Sequence, residues 1–176
     1  MKTKVVLLAL ICALGFTLKT DDSKAQQRGT TEPAAPSTKQ EAVVSDQQID
    51  LLRKDLRSRK KQLIAANLSL TTAEAEKFWP VYEEYTAETI RINDTKYALI
   101  KKYAQDWGHM TDQQAEDYVR GMVGVDQSTS ELRLKYWPRF TQVVSARNTA
   151  LFFQMDRRIN IMIDLQLSSQ IPLIEP

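Results

Sequence analysis

The sequence holds one cysteine, one histidine, five glycines and six prolines among 176 residues. Cys12 lies in an apolar stretch near the start, so everything after it lacks a thiol. That excludes a disulfide framework, thiol catalysis and Cys-based metal sites from the folded part. A single His109 cannot fill a zinc or copper site alone, because three or four ligands are required. So few glycines and prolines argue against a turn-rich sandwich or barrel. No Ser/His/Asp order and no phosphate-cradling glycine loop appears, and carboxylate neighbours such as Glu83 and Glu84 point apart on a helix. Net charge is also scarce, at +2 overall. Such balance gives little electrostatic drive toward nucleic acid, and that class is set aside.

The longest apolar run, residues 5–18, falls short of the about 20 residues that a bilayer span needs. Lys2 and Lys4 precede it, and Ser23-Lys24-Ala25 supplies the small residues a signal peptidase reads. Residues 1–25 therefore read as a cleaved secretory signal. The charged stretch 19–24 is untidy, which leaves a cut near Gly15 and an uncleaved anchor as alternatives. Ile11 stands where a lipoprotein site needs a small residue, against lipidation at Cys12. The segment removed carries four lysines against Asp21 and Asp22, leaving 20 charges of each sign. Residues 26–45, rich in Gln, Thr, Pro, Ala and Ser, bury too little surface to offset their ordering entropy and read as a flexible linker.

Residues 46–176 read as one all-α domain of four helices, two of them long. Ile49, Leu52, Leu56 and Leu63 form a one-sided stripe over 46–66. Over 72–106, Phe78, Tyr82, Tyr85, Thr89, Ile92, Lys96, Leu99 and Tyr103 step alternately by four and three, a heptad register. Trp107-Gly108-His109 ends that rod. Ala115, Tyr118, Met122, Val125, Thr129, Leu132 and Tyr136 continue the step over 112–144. Phe152, Met155, Ile159, Met162 and Ile163 mark 146–169, which stops before Pro172. Pro80 and Pro138 fall inside helical patterns, where each removes a hydrogen bond and predicts a kink. Gly121, Gly124 and the polar residues 126–130 weaken the third segment enough to leave open a break into two.

One pattern occurs twice. Leu70-Thr71-Thr72-Ala73-Glu74-Ala75-Glu76-Lys77-Phe78 aligns with Met110-Thr111-Asp112-Gln113-Gln114-Ala115-Glu116-Asp117-Tyr118. Its physical content is a capping box: Thr71 and Thr111 accept from the N3 amide, while Glu74 and Gln114 reach back to the cap amide. Leu70 and Met110 stand before the caps, opposite the small Ala75 and Ala115, so the apolar staple is weak. A second echo, Phe78-Trp79-Pro80 against Tyr136-Trp137-Pro138, has a different offset and makes no solenoid.

A doubled Leu-Thr-x-x-Gln opening long helices, behind an export signal, resembles the LTxxQ periplasmic proteins of the Spy/CpxP kind over residues 46–145. Met110 replaces Leu in one copy and Glu74 replaces Gln in the other. The resemblance implies a periplasmic, antiparallel, dimeric helical protein with a concave face. It also implies a non-enzymatic role in envelope stress, either holding unfolded clients without ATP or restraining the periplasmic domain of a sensor kinase. The expected partners are thus unfolded or envelope proteins and a second copy of the chain, with no cofactor.

For such a role the first helix offers Arg53, Arg57 and Lys60 beside its apolar stripe, with Leu56 and Ile64 in reach. Mixed basic and apolar surface suits weak capture and release. A solvated basic face shared with Lys54 and Lys61 is the plainer reading of the same residues. The aromatic clusters read as core or dimer seam, with client binding the lesser alternative. A metal- or ligand-sensing regulatory module is the competing function, and a purely structural envelope component a third.

Overall fold

A computed structural model of the chain describes residues 45–174. The expected signal segment, residues 26–44 of the linker and the last two residues lie outside them. Four helices follow in order: α1 (Asp46–Asn67), α2 (Thr72–Asp106), α3 (Asp112–Thr141) and α4 (Ala146–Ser168). No strand occurs among the described residues.

Each helix begins at a hydroxyl cap. Ser45, assigned by composition to the linker, is the N-cap of α1 and forms a capping box with Gln48. Thr71 Oγ1 accepts from the Glu74 amide at 3.3 Å, and Glu74 Oε2 accepts from the Thr71 amide at 2.9 Å. Thr111 and Gln114 repeat this at 3.3 and 2.8 Å, and Ser145 caps α4 by accepting from the Asn148 amide. Thr71's hydrogen bonds hold the Glu74 carboxyl below the usual range, and a carboxylate there also suits the helix N-terminus. Between α2 and α3 the chain turns at Gly108, whose φ of 83° lies in the left-handed region that other residues adopt at a cost.

The third helix is unbroken. Its polar stretch turns its hydroxyls onto the helix's own carbonyls: Ser128 donates to Gly124 O, Thr129 to Val125 O and Ser130 to Asp126 O. The competing hydrogen bonds are thereby absorbed within the helix. Pro80 and Pro138 both lie inside helices.

Successive helices run antiparallel, as cross-helix partners show. Asp46 meets Lys101 and Arg53 meets Asp94 between α1 and α2. Glu88 meets Lys135 and Tyr103 stacks near Tyr118 between α2 and α3. Lys60 meets Asp156 while Ser69 meets Asn148 between α1 and α4. Backbones approach closely for α2 with α3, α3 with α4 and α1 with α4. No Cα of α1 comes within 8 Å of one in α2. Gly121 lets α3 close on α2, since a Cβ there would sit 2.6 Å from Leu99 Cδ2.

The core is aromatic and lies toward one end. Phe78, Tyr82, Tyr85, Tyr136, Phe140 and Phe152 are buried together with Ile64, Leu68, Leu132 and Val144. Phe140 and Phe152 stand 4.6 Å apart between centroids, and Phe78 and Phe140 5.2 Å. Such pairs add about 0.5–1.5 kcal/mol each beyond the area they bury. Farther along, Tyr103 OH donates to the Pro172 carbonyl at 2.6 Å and the Trp107 indole to the Leu173 carbonyl at 2.9 Å, fastening the tail to α2. No described helix is long and apolar enough to cross a membrane.

Candidate functional site

The first helix is rotated relative to what its apolar stripe implies. Of the expected stripe, Ile49 is half-buried while Leu52, Leu56 and Leu63 stay 37–52% exposed. The row Asp46, Arg53, Lys60 and Ile64 instead faces the other helices. Arg53 Nη2 donates to Asp94 Oδ1 at 2.5 Å and its guanidinium lies 5.6 Å from the Tyr97 ring. Lys61 pairs with Glu83. Asp46 accepts from Lys101 Nζ at 3.0 Å and from the Tyr97 hydroxyl at 2.9 Å. The Lys101 ammonium first, then the Tyr97 hydroxyl, lower the Asp46 carboxyl below its usual range.

Lys60 makes the deepest polar contact of this row. Its ammonium lies 2.5 Å from Asp156 Oδ1 and donates to Asn160 Oδ1 at 3.2 Å. Asp156 is fully buried, with 0% exposure. Its Oδ2 accepts from Tyr85 OH at 3.0 Å and Asn160 Nδ2 at 3.2 Å, with Arg133 Nε 3.6 Å away. Every helix therefore contributes to one polar centre beside the aromatic core. Burial, with the Asp156 charge second, pushes the Tyr85 phenol far above its ordinary value. A buried carboxylate is tolerated because two cations and two neutral donors compensate it. The pair of Asp156 and Asn160 falls at a helical spacing of four within α4, a signal present in sequence but indistinguishable there from a solvated face.

Of the residues expected to bind clients, Ile64 is wholly buried and belongs to the core. Lys60 and Arg53 are engaged as described. Leu56 remains on the outer side at 38% exposure, whereas Arg57 is half-buried, at helical spacing from Arg53, Lys60 and Ile64. The structure does not gather the five into one open face. Leu70, before the first cap, packs against the core cluster. Met110, before the second, is half-buried. His109 is exposed in the α2–α3 turn, its Nδ1 2.5 Å from the Asp106 carbonyl, a contact that needs the proton on Nδ1. Among the described residues no group of three or more His, Cys, Asp or Glu is placed to hold a metal ion.

Apolar side chains remain in the open on three helices. α1 shows Leu51 beside the three leucines above, α3 shows Val119, Val123 and Leu134, and α4 shows Ile161, Met162 and Leu165. On α1 and α4 they share their helices with Lys54, Arg57, Arg157 and Arg158, cations without an ion-pair partner closer than 4.0 Å among the described residues. No family model, curated protein or solved structure matches the chain.

Proposed function

We propose that the chain is a non-enzymatic, exported envelope-stress protein resembling Spy and CpxP. In this reading it holds unfolded chains without ATP or engages the periplasmic domain of a sensor kinase. The observation that carries it is the mixed surface of α1, where exposed Leu52, Leu56 and Leu63 alternate with cationic side chains. Such a surface binds many extended chains weakly, because each exposed contact contributes little and none demands a particular partner. The two capping boxes at Thr71 and Thr111 support the resemblance to the LTxxQ proteins. The reading includes their antiparallel arrangement with bends at Pro80 and Pro138. It also includes a second copy covering part of the apolar surface, since faces of this kind on a small protein are commonly interfaces. The periplasm is its compartment, reached through cleavage of residues 1–25.

The test is suppression of aggregation of a denatured enzyme, followed by light scattering without ATP. Charge reversal at Lys60 or Arg53 is a poor probe, because a carboxylate would face Asp156 or Asp94. Leu56→Ser with Lys54→Glu alters exposed positions only. Suppression by the wild type that falls severalfold in this double variant is the expected result. An equal curve for both proteins removes the α1 surface from the reading. A metal-sensing module, the competing function, requires stoichiometric binding of zinc, copper or nickel in native mass spectrometry that is lost in His109→Ala.

A further inference from the structure

We infer that residues 46–61 of α1 form a strap that peels from the other three helices as a unit, pivoting on Ile64 and Leu68. Three observations carry this. Every contact identified above between residues 46–61 and α2 is made by the tip of a long or charged side chain: Asp46 with Lys101 and Tyr97, Arg53 with Asp94, Lys61 with Glu83. No Cα of α1 comes within 8 Å of one in α2, and α4 is the helix whose backbone α1 does approach. The only side chains of the α1 arm that enter the core, Ile64 and Leu68, lie at its C-terminal end next to the short link into α2.

The state in which peeling leaves the interior adds to these three. Removing one partner of a buried ion pair is ordinarily prohibitive, because the other charge is stranded. Here Asp156 Oδ2 keeps Tyr85 OH and Asn160 Nδ2, with Arg133 Nε 3.6 Å away, after Lys60 departs, all three from α2, α3 and α4, and the charge is left uncompensated only at Oδ1. The departing Lys60 exchanges a carboxylate for water. The remaining pairs of the strap are solvent-exposed and screened by salt. Most helices are held by an apolar face, and opening them bares that face to water. In this strap Leu52 and Leu56 are more than a third exposed already.

The consequence concerns the capture surface. In the closed form Arg53 and Lys60 are occupied internally, and only the outer side of α1 meets solvent. Peeling presents the same cations together with the leucines as one amphipathic segment. This use of the motion rests on the proposed function, whereas the motion itself does not. The experiment contains no client, so its failure and the failure of the capture assay are separate results.

Hydrogen exchange followed by mass spectrometry on the full chain tests the strap. Raising salt from about 0.1 M to about 1 M shortens the screening length from about 10 Å to about 3 Å. The expected result is that amides of residues 50–61 exchange about tenfold faster at the higher salt, while those of residues 78–90 and 130–140 change less than about twofold. Protection of residues 50–61 equal to that of residues 78–90, and indifferent to salt, overturns the inference. Lys60→Met supplies a second reading. Faster exchange confined to α1, with the near-ultraviolet signal of the aromatic core retained, supports the strap. Loss of protection in all four helices alike makes Lys60 a keystone of the whole fold and overturns it.

Discussion

Lys60 and Asp156, on the first and last helices, meet at 2.5 Å in the one place where all four helices share a polar group. The two ends of this pair are not equivalent. Asp156 has three further partners and is completely buried, whereas Lys60 is still 13% exposed. Replacing Asp156 with Leu strands Lys60 and Arg133 and is expected to cost about 3–5 kcal/mol. Lys60→Met should cost about 1–3 kcal/mol, the loss of the ion-pair partner of Oδ1 while Oδ2 keeps its neighbours. Urea unfolding of the two single variants and the double variant gives the coupling between them. Equal costs for the two single variants would contradict the asymmetry.

Gly121 and Gly124 should respond to alanine with opposite signs. Both lie in the interior of α3, where glycine is about 1 kcal/mol worse than alanine. Nothing lies within 4 Å of a Cβ built at Gly124, so Gly124→Ala should stabilise by about 0.5–1 kcal/mol. At Gly121 the added methyl meets Leu99 at 2.6 Å, and overpacking should outweigh the propensity gain by about 1 kcal/mol. Thermal unfolding of both variants measures this, and Leu99→Ala should relieve the cost at Gly121.

Thr149 is fully buried at the start of α4, and its hydroxyl has no hydrogen-bond partner. An unmet hydroxyl carries its whole desolvation cost, so the isosteric Thr149→Val should raise stability by about 1 kcal/mol. Calorimetry that shows a loss instead would reveal a partner for that oxygen.

All six tyrosines of the chain hold their protons more tightly than an exposed phenol. Burial is the first cause in each, and it lifts Tyr82, Tyr97 and Tyr136 to about 12 from 10.0. A phenol whose folded value is raised contributes stability fully below the unfolded value and loses it as pH rises through the folded one. Stability should therefore fall steadily between pH 10.0 and about 12. Absorbance near 295 nm should show phenolate appearing together with loss of helix, rather than ahead of it. Phenolate formed in several steps before any helix is lost would contradict this.

The helices themselves were legible because their starts are chemically marked. Thr71 and Thr111 with their partners at N3 place the beginnings of α2 and α3, and the alternating four-and-three steps carry both through their proline positions. The face of α1 was not legible. Its leucines repeat on one side and suggest burial, yet the inward row is set by Asp94, Glu83 and Asp156, acids that the sequence places far away. Only the fold brings these carboxylates opposite Arg53, Lys61 and Lys60. The polar centre was missed for the same reason, since Lys60, Tyr85, Arg133 and Asp156 lie on four different helices and share no spacing along the chain.

The packing of α1 against α4 rather than on the backbone of its neighbour α2 also bears on the order of events during synthesis. The helix made first finds its carboxylate on the helix made last. While α2 and α3 zip together as a hairpin of nearby segments, α1 has only exposed ion pairs to α2 and the Ile64 end to hold it. Its docking waits until Asp156 has emerged, so a chain cut short before α4 would retain its hairpin and leave the arm adrift.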